Sequence, residues 1–185
     1  MPIDDRAPEL VARARRGDPA AFDELVRSYL RPAYAVALAV VGRPADAEDI
    51  AQDAFCLAFE KLDSCRDPSR FAGWLLTIVK NQARNWLVKR KLRDVSRMSS
   101  LPEQPDQGAG PDASALRAPL LAALALLGEA QREVVLLHDL EGWTHGEIAK
   151  ALGISEVMSR QHLFVARKKL RTQLEGGLSE ERIHD

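Results

Sequence analysis

Two cysteines in 185 residues are too few for a disulfide scaffold. Neither Cys56 nor Cys65 stands in a CxxC pair or a Cys/His group with metal-ligand spacing, and the four histidines are dispersed, so no metal site is read. Ordinary packing is the expected role of Cys56. No apolar run is long enough to span a bilayer, although Ala33 to Val41 is quite apolar, and no signal peptide opens the chain; a cytoplasmic protein is expected. No nucleophile with its base, no metal cluster and no phosphate loop is visible, which argues against an enzyme and against a bound cofactor. A formal net charge of only -1 rules out a global field that draws in nucleic acid, so any such affinity has to come from local patches.

Apolar residues are plentiful at 46%, enough for real cores. Strand alternation is missing and helical periodicity dominates. A first helix is expected from Ala7 to Arg16, ending at Gly17-Asp18, and Pro19 opens a second that runs to Val41. Gly42-Arg43-Pro44 breaks it. Asp46 is expected to cap a third helix to Leu62, and Asp67-Pro68 forms an N-cap and N1 pair for a fourth that reaches Arg93. From Asp94 to Pro119 the composition turns to Ser, Pro, Gly, Asp and Gln, as in a flexible linker. Leu120 to Leu127 and Gln131 to Leu140 are two further helices. The fold class is all-α, two small helical domains on a tether, divided as 1–94, a linker 95–119, 120–176 and a tail 177–185.

The segment Thr144 to Arg171 carries the clearest function. Thr144 with Glu147 is a capping box, Ile148, Ala149 and Leu152 form a buried stripe, and Gly153 supplies the left-handed stop before Ser155 caps the next helix. At about 100° per residue, Ser159, Leu163, Ala166 and Leu170 share one side of that helix, and Val157, Arg160, Gln161, Phe164 and Lys168 share the other. A face mixing guanidinium, amide, ammonium and apolar groups suits base edges, thymine methyls and phosphates. Such a pair of helices presents the second to the DNA major groove.

The fourth helix has a core stripe of Phe71, Trp74, Leu75 and Ile78 that continues as Gln82, Asn85 and Lys89. Around Asn81, Gln82 and Asn85 stand Lys80, Arg84, Lys89, Arg90, Lys91 and Arg93: amides of the kind that read bases among cations that neutralise phosphates. Trp74 is expected in the core, and Trp86 fits either setting. The third helix buries Ala47, Ile50, Ala54 and Leu57 and sets Glu48, Asp49, Gln52, Cys56, Phe59 and Glu60 opposite, an acidic face that repels DNA and suits a protein partner.

At these residues the chain resembles the extracytoplasmic-function sigma factors of bacterial RNA polymerase. Ala47-Glu-Asp-Ile-Ala-Gln-Asp-Ala-Phe55 is similar to their core-polymerase-binding motif, Phe71 to Asn85 to their promoter-melting and -10-element helix, and the recognition face with Ala166-Arg-Lys-Lys-Leu-Arg171 to their -35-element reader. Ser155-Glu-Val-Met-Ser-Arg-Gln-His162 departs from the usual pattern by placing Ser159 in the apolar stripe and His162 at a usual Arg, and Asn85 replaces a frequent Asp. The resemblance implies a promoter-specificity subunit without catalytic activity. Asp49, Gln52, Phe55 and Phe59 would then dock on core polymerase. Arg70, Lys80, Asn81, Gln82, Arg84, Asn85, Lys89 and Arg90 would engage the single-stranded -10 element, with the Ser64–Arg70 loop holding a flipped base. Val157, Arg160, Gln161, Phe164, Arg167 and Lys168 would meet the duplex -35 element. An anti-sigma factor is the further partner implied. A stand-alone helix-turn-helix regulator, which would bind a palindrome as a dimer, and a polymerase-binding adaptor that reads no DNA are the rival readings.

Overall fold

The computed structural model describes residues 6–96 and 111–181, with side chains over 6–93 and 118–173. Among the described residues there is no strand. The first domain has four helices: α1 (Ala7–Arg15), α2 (Pro19–Val41), α3 (Pro44–Glu60) and α4 (Phe71–Ser96). The second has α5 (Pro111–Ala125), α6 (Glu129–Val135), α7 (His145–Leu152) and α8 (Glu156–Glu181), with a five-residue π turn, Leu136–Leu140, after α6.

Capping chemistry sets these boundaries. Asp18 accepts from the amides of Ala20 and Ala21 at 3.1 and 3.4 Å while Arg13 holds its other oxygen at 2.8 Å. That bond, together with the capping amides, keeps the Asp18 carboxyl below its ordinary value. Gly42 stops α2 at φ 71°, a left-handed geometry that glycine takes without strain. The third helix differs from its expected start. It begins at Pro44, whose ring presets the first-turn φ, so Asp46 lies inside the first turn and caps nothing, and Arg43 stands at the N-cap. Asp67 accepts from the Ser69 amide at 3.0 Å and starts a short 3-10 turn that runs into α4.

Two expectations for the tether and tail change. Helix α5 starts at Pro111, so 111–119 are helical where a linker is expected, and α8 continues to Glu181 through most of the expected tail. The rest of the expected linker, 97–110, and the tail residues 182–185 lie outside the described residues.

The first domain's core centres on Phe71 and Tyr29, both essentially buried, with ring centroids 5.4 Å apart and Trp74 half-buried at 5.7 Å from Phe71. Phe71→Ala removes the ring that packs α4 on Tyr29 of α2 and is expected to cost about 3–5 kcal/mol of unfolding free energy in urea titration, the range for a truncated buried aromatic. Cys65 is buried and Cys56 exposed, so the packing expected of Cys56 belongs to Cys65. Burial also pushes the Cys65 thiol above its ordinary value. Arg15 ties the loop before α4 to α1 through the carbonyls of Leu62, at 3.0 Å, and Cys65.

The two domains pack on one another. Helix α6 and its π turn lie against α2, and α7 lies against α4. Leu38 of α2 lines a crevice with Leu121, Leu124 and Leu136. At Gly73 the backbones meet: an added Cβ would stand 3.1 Å from the carbonyl oxygen of Ala151. This contact explains why Ala151 is buried while the expected Ala149 and Leu152 are only half-buried beside the buried Ile148.

Candidate nucleic-acid interface

The turn between α7 and α8 is made by backbone capping. Thr144 Oγ1 accepts from the Glu147 amide at 3.3 Å, and the Thr144 amide donates to Glu147 Oε2 at 2.7 Å. Gly153 ends α7 at φ 69°, and Ser155 Oγ accepts from the Met158 amide at 3.1 Å to begin α8. Ser159, Leu163 and Ala166 turn inward and Leu170 is half-buried. Val157, Arg160, Gln161, Phe164, Arg167 and Lys168 all turn outward, with Phe164 70% exposed. Arg160, Phe164, Arg167 and Lys168 border a groove of 560 Å³ along the helix. The expected reading face is one continuous open surface.

Ser159, a hydroxyl in an apolar stripe, is fully buried and satisfied by His145 Nδ1 at 2.9 Å. Burial, with His138 and Arg160 nearby, holds His145 below its ordinary value. The His145 and His138 rings stack with centroids 4.8 Å apart. His138 Nδ1 lies 2.8 Å from Asp139 Oδ1, and Asp139 accepts from Arg167 Nε at 3.0 Å and from Nη2. Burial pushes the Asp139 carboxyl up, but the bonds from Arg167 and His138 outweigh it and leave it below its ordinary value.

On α4, Asn81, Arg84, Asn85 and Lys89 are exposed, as is Arg70 just before the helix, while Gln82 and Lys80 are half-buried. Arg90 is half-buried, with its guanidinium 5.2 Å from the Trp86 ring and 3.9 Å from Asp46, so part of its work is to pin α4 to α3. Trp86 is half-buried beneath it. On α3, Glu48, Asp49, Gln52, Asp53, Phe59 and Glu60 form the exposed acidic face, and Phe59 packs edge-on against Phe22 at 4.9 Å. Phe55 does not join them: it is 5% exposed and belongs to the core, because its position along the helix follows Ala47, Ala51 and Ala54 inward.

An acidic helix face, a basic amide-rich helix and a separate helix-turn-helix thus occur in one chain in that order. Residues 25–93 match the family model for sigma-70 region 2, and residues 117–170 match that for sigma-70 region 4. The chain belongs to the extracytoplasmic-function sigma factors. It is 35% identical to the ECF RNA polymerase sigma factor SigE of Mycolicibacterium smegmatis, over 85% of this chain but 64% of that one, so it spans less than two thirds of that relative's length. It is 30% identical to the RNA polymerase sigma-H factor of Pseudomonas aeruginosa, over 93% of this chain and 95% of that one. Among solved structures it resembles the sigma factor RpoE in complex with the anti-sigma factor NepR from Bartonella quintana, with a TM-score of 0.60 and 26% identity over 83% of this chain and 96% of the other. The matched families are those of initiation factors rather than of enzymes.

In this sigma factor the basic helix of region two is covered by acids of region four. Lys80 Nζ lies 2.9 and 3.2 Å from the two Glu133 oxygens, and Arg84 Nη2 lies 2.7 Å from Glu129 Oε1. A third pair, Arg31 with the buried Glu141 at 3.4 Å, joins α2 to the end of the π turn. Two of the cations expected on the -10 strand are therefore occupied. Glu129, Glu133 and Glu141, which pair with region two, and Asp139 and His145, which pair beside α8, are contacts that the sequence reading does not include. The one available signal was the i,i+4 spacing of Glu129 and Glu133, which sets two carboxylates on one face of α6.

Glu133 is 3% exposed, and burial raises its carboxyl above the ordinary value despite Lys80. A group whose pKa rises on closure holds its proton more tightly in the closed form. The packing of region four on region two therefore gains stability as pH falls through that raised value and loses it as pH rises through it. Fluorescence transfer between a dye on exposed Cys56 and one on Thr172→Cys is expected to increase on mild acidification. In Glu133→Gln the same titration is expected to be flat.

Proposed function

We propose that the chain is a promoter-specificity subunit of bacterial RNA polymerase that works in the cytoplasm without catalysis of its own. The α3 face of Asp49, Gln52 and Phe59 docks on core polymerase, with Phe55 buried beneath as its support. Helix α4 and the Ser64–Arg70 loop take the single-stranded -10 element through Arg70, Lys80, Asn81, Gln82, Arg84, Asn85 and Lys89, with Arg90 as its brace. The α8 face takes the duplex -35 element. Capture of an unpaired base offsets the few kcal/mol, about, needed to extrude it, so strand opening is driven by binding. Region two is taken to end near residue 94 and region four to begin in α5.

The observation that carries this reading is the pair of separate basic faces, α4 and α8, with an acidic partner face on α3 ahead of both in the chain. A single-surface DNA regulator needs only α8. Because Lys80 and Arg84 are held by Glu133 and Glu129, the two regions have to part before the -10 strand can bind. Engagement with polymerase is the natural occasion for that. An anti-sigma factor is proposed as a further partner, one that covers the same faces.

Run-off transcription across a bacterial genome with purified core polymerase, with and without the chain, tests the reading by mapping new RNA 5′ ends. New starts sharing two upstream elements at fixed spacing are expected. No new starts together with retained duplex binding would favour a stand-alone regulator. Changing Asp49, Gln52 and Phe59 together to alanine is expected to weaken core-polymerase binding at least tenfold with the fold intact, since all three side chains are exposed; unchanged affinity removes the docking assignment.

A further inference from the structure

We propose that Asp139 and Glu156 are specificity-determining residues of the α8 reading face, each restraining the arginine beside it so that the face attracts DNA in general weakly and its own sequence well. The inference rests on the assignment of α8 to duplex DNA and goes beyond it, because it gives a role to acids that a nucleic-acid surface would be expected to lack.

Both arginines of that face carry a carboxylate. Arg167 gives its Nε and one Nη2 proton to Asp139, and Arg160 Nη2 lies 2.8 Å from Glu156 Oε2 one turn earlier. A guanidinium has five donors in a fixed fork. With Nε and one Nη2 proton given to Asp139, the two Nη1 protons and the second Nη2 proton of Arg167 stay outside the pair, enough donors for bidentate contact with a base. Asp139 is itself braced: His138 holds its Oδ1, the His138 ring stacks on His145, and His145 holds the buried Ser159. The network runs from the inward side of α8 around to its outward side.

These are half-exposed pairs, with Arg167 and Asp139 side chains 53% and 34% exposed and Arg160 and Glu156 57% and 52%. Solvent-screened pairs of this kind add little to folding, so stability does not account for them. Their effect on DNA is larger. Sequence-independent affinity comes from neutralised phosphates and released counterions, with log K falling against log salt at a slope of about -0.9 for each phosphate contacted. Two carboxylates beside two guanidiniums cancel charge on the very helix that approaches the backbone. Contacts with base edges lose less, because the arginines arrive already ordered and the ordering cost is smaller.

The test uses the full chain, whose α8 face is open. Wild type, Asp139→Asn, Glu156→Gln and the double variant are each titrated against one mixed-sequence duplex and against the duplex that wild type enriches from a randomised pool, at several salt concentrations. The double variant is expected to bind the mixed-sequence duplex about tenfold more tightly at low salt, with the log-log slope steeper by about two. Its ratio of selected to mixed-sequence affinity is expected to fall at least tenfold. Asp139→Glu, which keeps the charge, is expected to stay near the wild-type slope. Glu156→Gln sits on an exposed helix face, so it keeps the test decisive if Asp139→Asn loosens the π turn. An unchanged ratio and slope, or a parallel loss of both affinities, overturns the proposal while leaving the promoter reading in place. A wild type that enriches no sequence overturns both.

Discussion

Glu133→Lys is expected to open the molecule. The substitution places a cation against Lys80 and beside Arg84, and Lys80 Nζ now sits 2.9 Å from a Glu133 oxygen that is almost fully buried. Removing one partner of a buried pair costs about 3–5 kcal/mol, and adding like charge makes the closed form worse still. At about 1.4 kcal/mol per tenfold, the closed-to-open ratio is expected to fall by about 10² to 4 × 10³. Apparent affinity for a ligand that needs the open form is reduced by the fraction that is open. A single-stranded oligonucleotide carrying the -10 sequence should therefore bind more tightly, up to the limit set by the loss of closure. Transfer between dyes on Cys56 and Thr172→Cys should fall in parallel, with the helical circular dichroism and the melting of each region retained. Adding Lys80→Glu restores opposite charge across the seam, and the transfer signal is expected to return. If dye separation and oligonucleotide binding both stay at wild-type values, the acids of α6 are not what keeps α4 covered.

Arg160→Ala with Lys168→Ala is expected to have the second large effect, and of the opposite sign. Both side chains are exposed on α8, so stability should move by less than about 0.5 kcal/mol, as is usual for surface changes. Loss of one base-reading guanidinium removes about 1–3 kcal/mol, and loss of a phosphate-facing ammonium lowers the salt slope by about one. Together they are expected to reduce binding to the -35 duplex about 10²-fold and to abolish transcription that depends on that element. Core-polymerase binding, carried by α3, should be unaffected. An adaptor that reads no DNA would keep its activity in this variant, so retained activity would move the protein to that class.

How far the sequence could be read depended on whether a signal was local. The α7–α8 turn was legible because Thr144, Gly153 and Ser155 each satisfy a backbone group within a few residues. The inward and outward sides of α8 followed from periodicity alone, down to the placement of Ser159 inside. Local rules also competed, as at α3, where Pro44 overrode Asp46 as the starting signal. Phe55 was misplaced for another reason: the motif that carries the family resemblance spans a whole helix turn, and similarity over a motif does not say which of its side chains point out. Composition misled at 111–119, where Pro, Ala and Ser are compatible with a helix begun by Pro111 at its first position. The seam between the regions was beyond sequence reasoning. Lys80 and Glu133 are 53 positions apart, and nothing in either helix names the other.

Gly73 makes that seam a part with very fine tolerance. Because main chain meets main chain there, no rotamer can absorb a misfit, and the gap is narrower than one methyl group. Substitutions from alanine through valine to leucine at this position would act as a graded set of shims. They would wedge regions two and four apart by increasing amounts while leaving every charge and every reading face as it is. A dial of that kind would let the output of the protein be set by thickness alone.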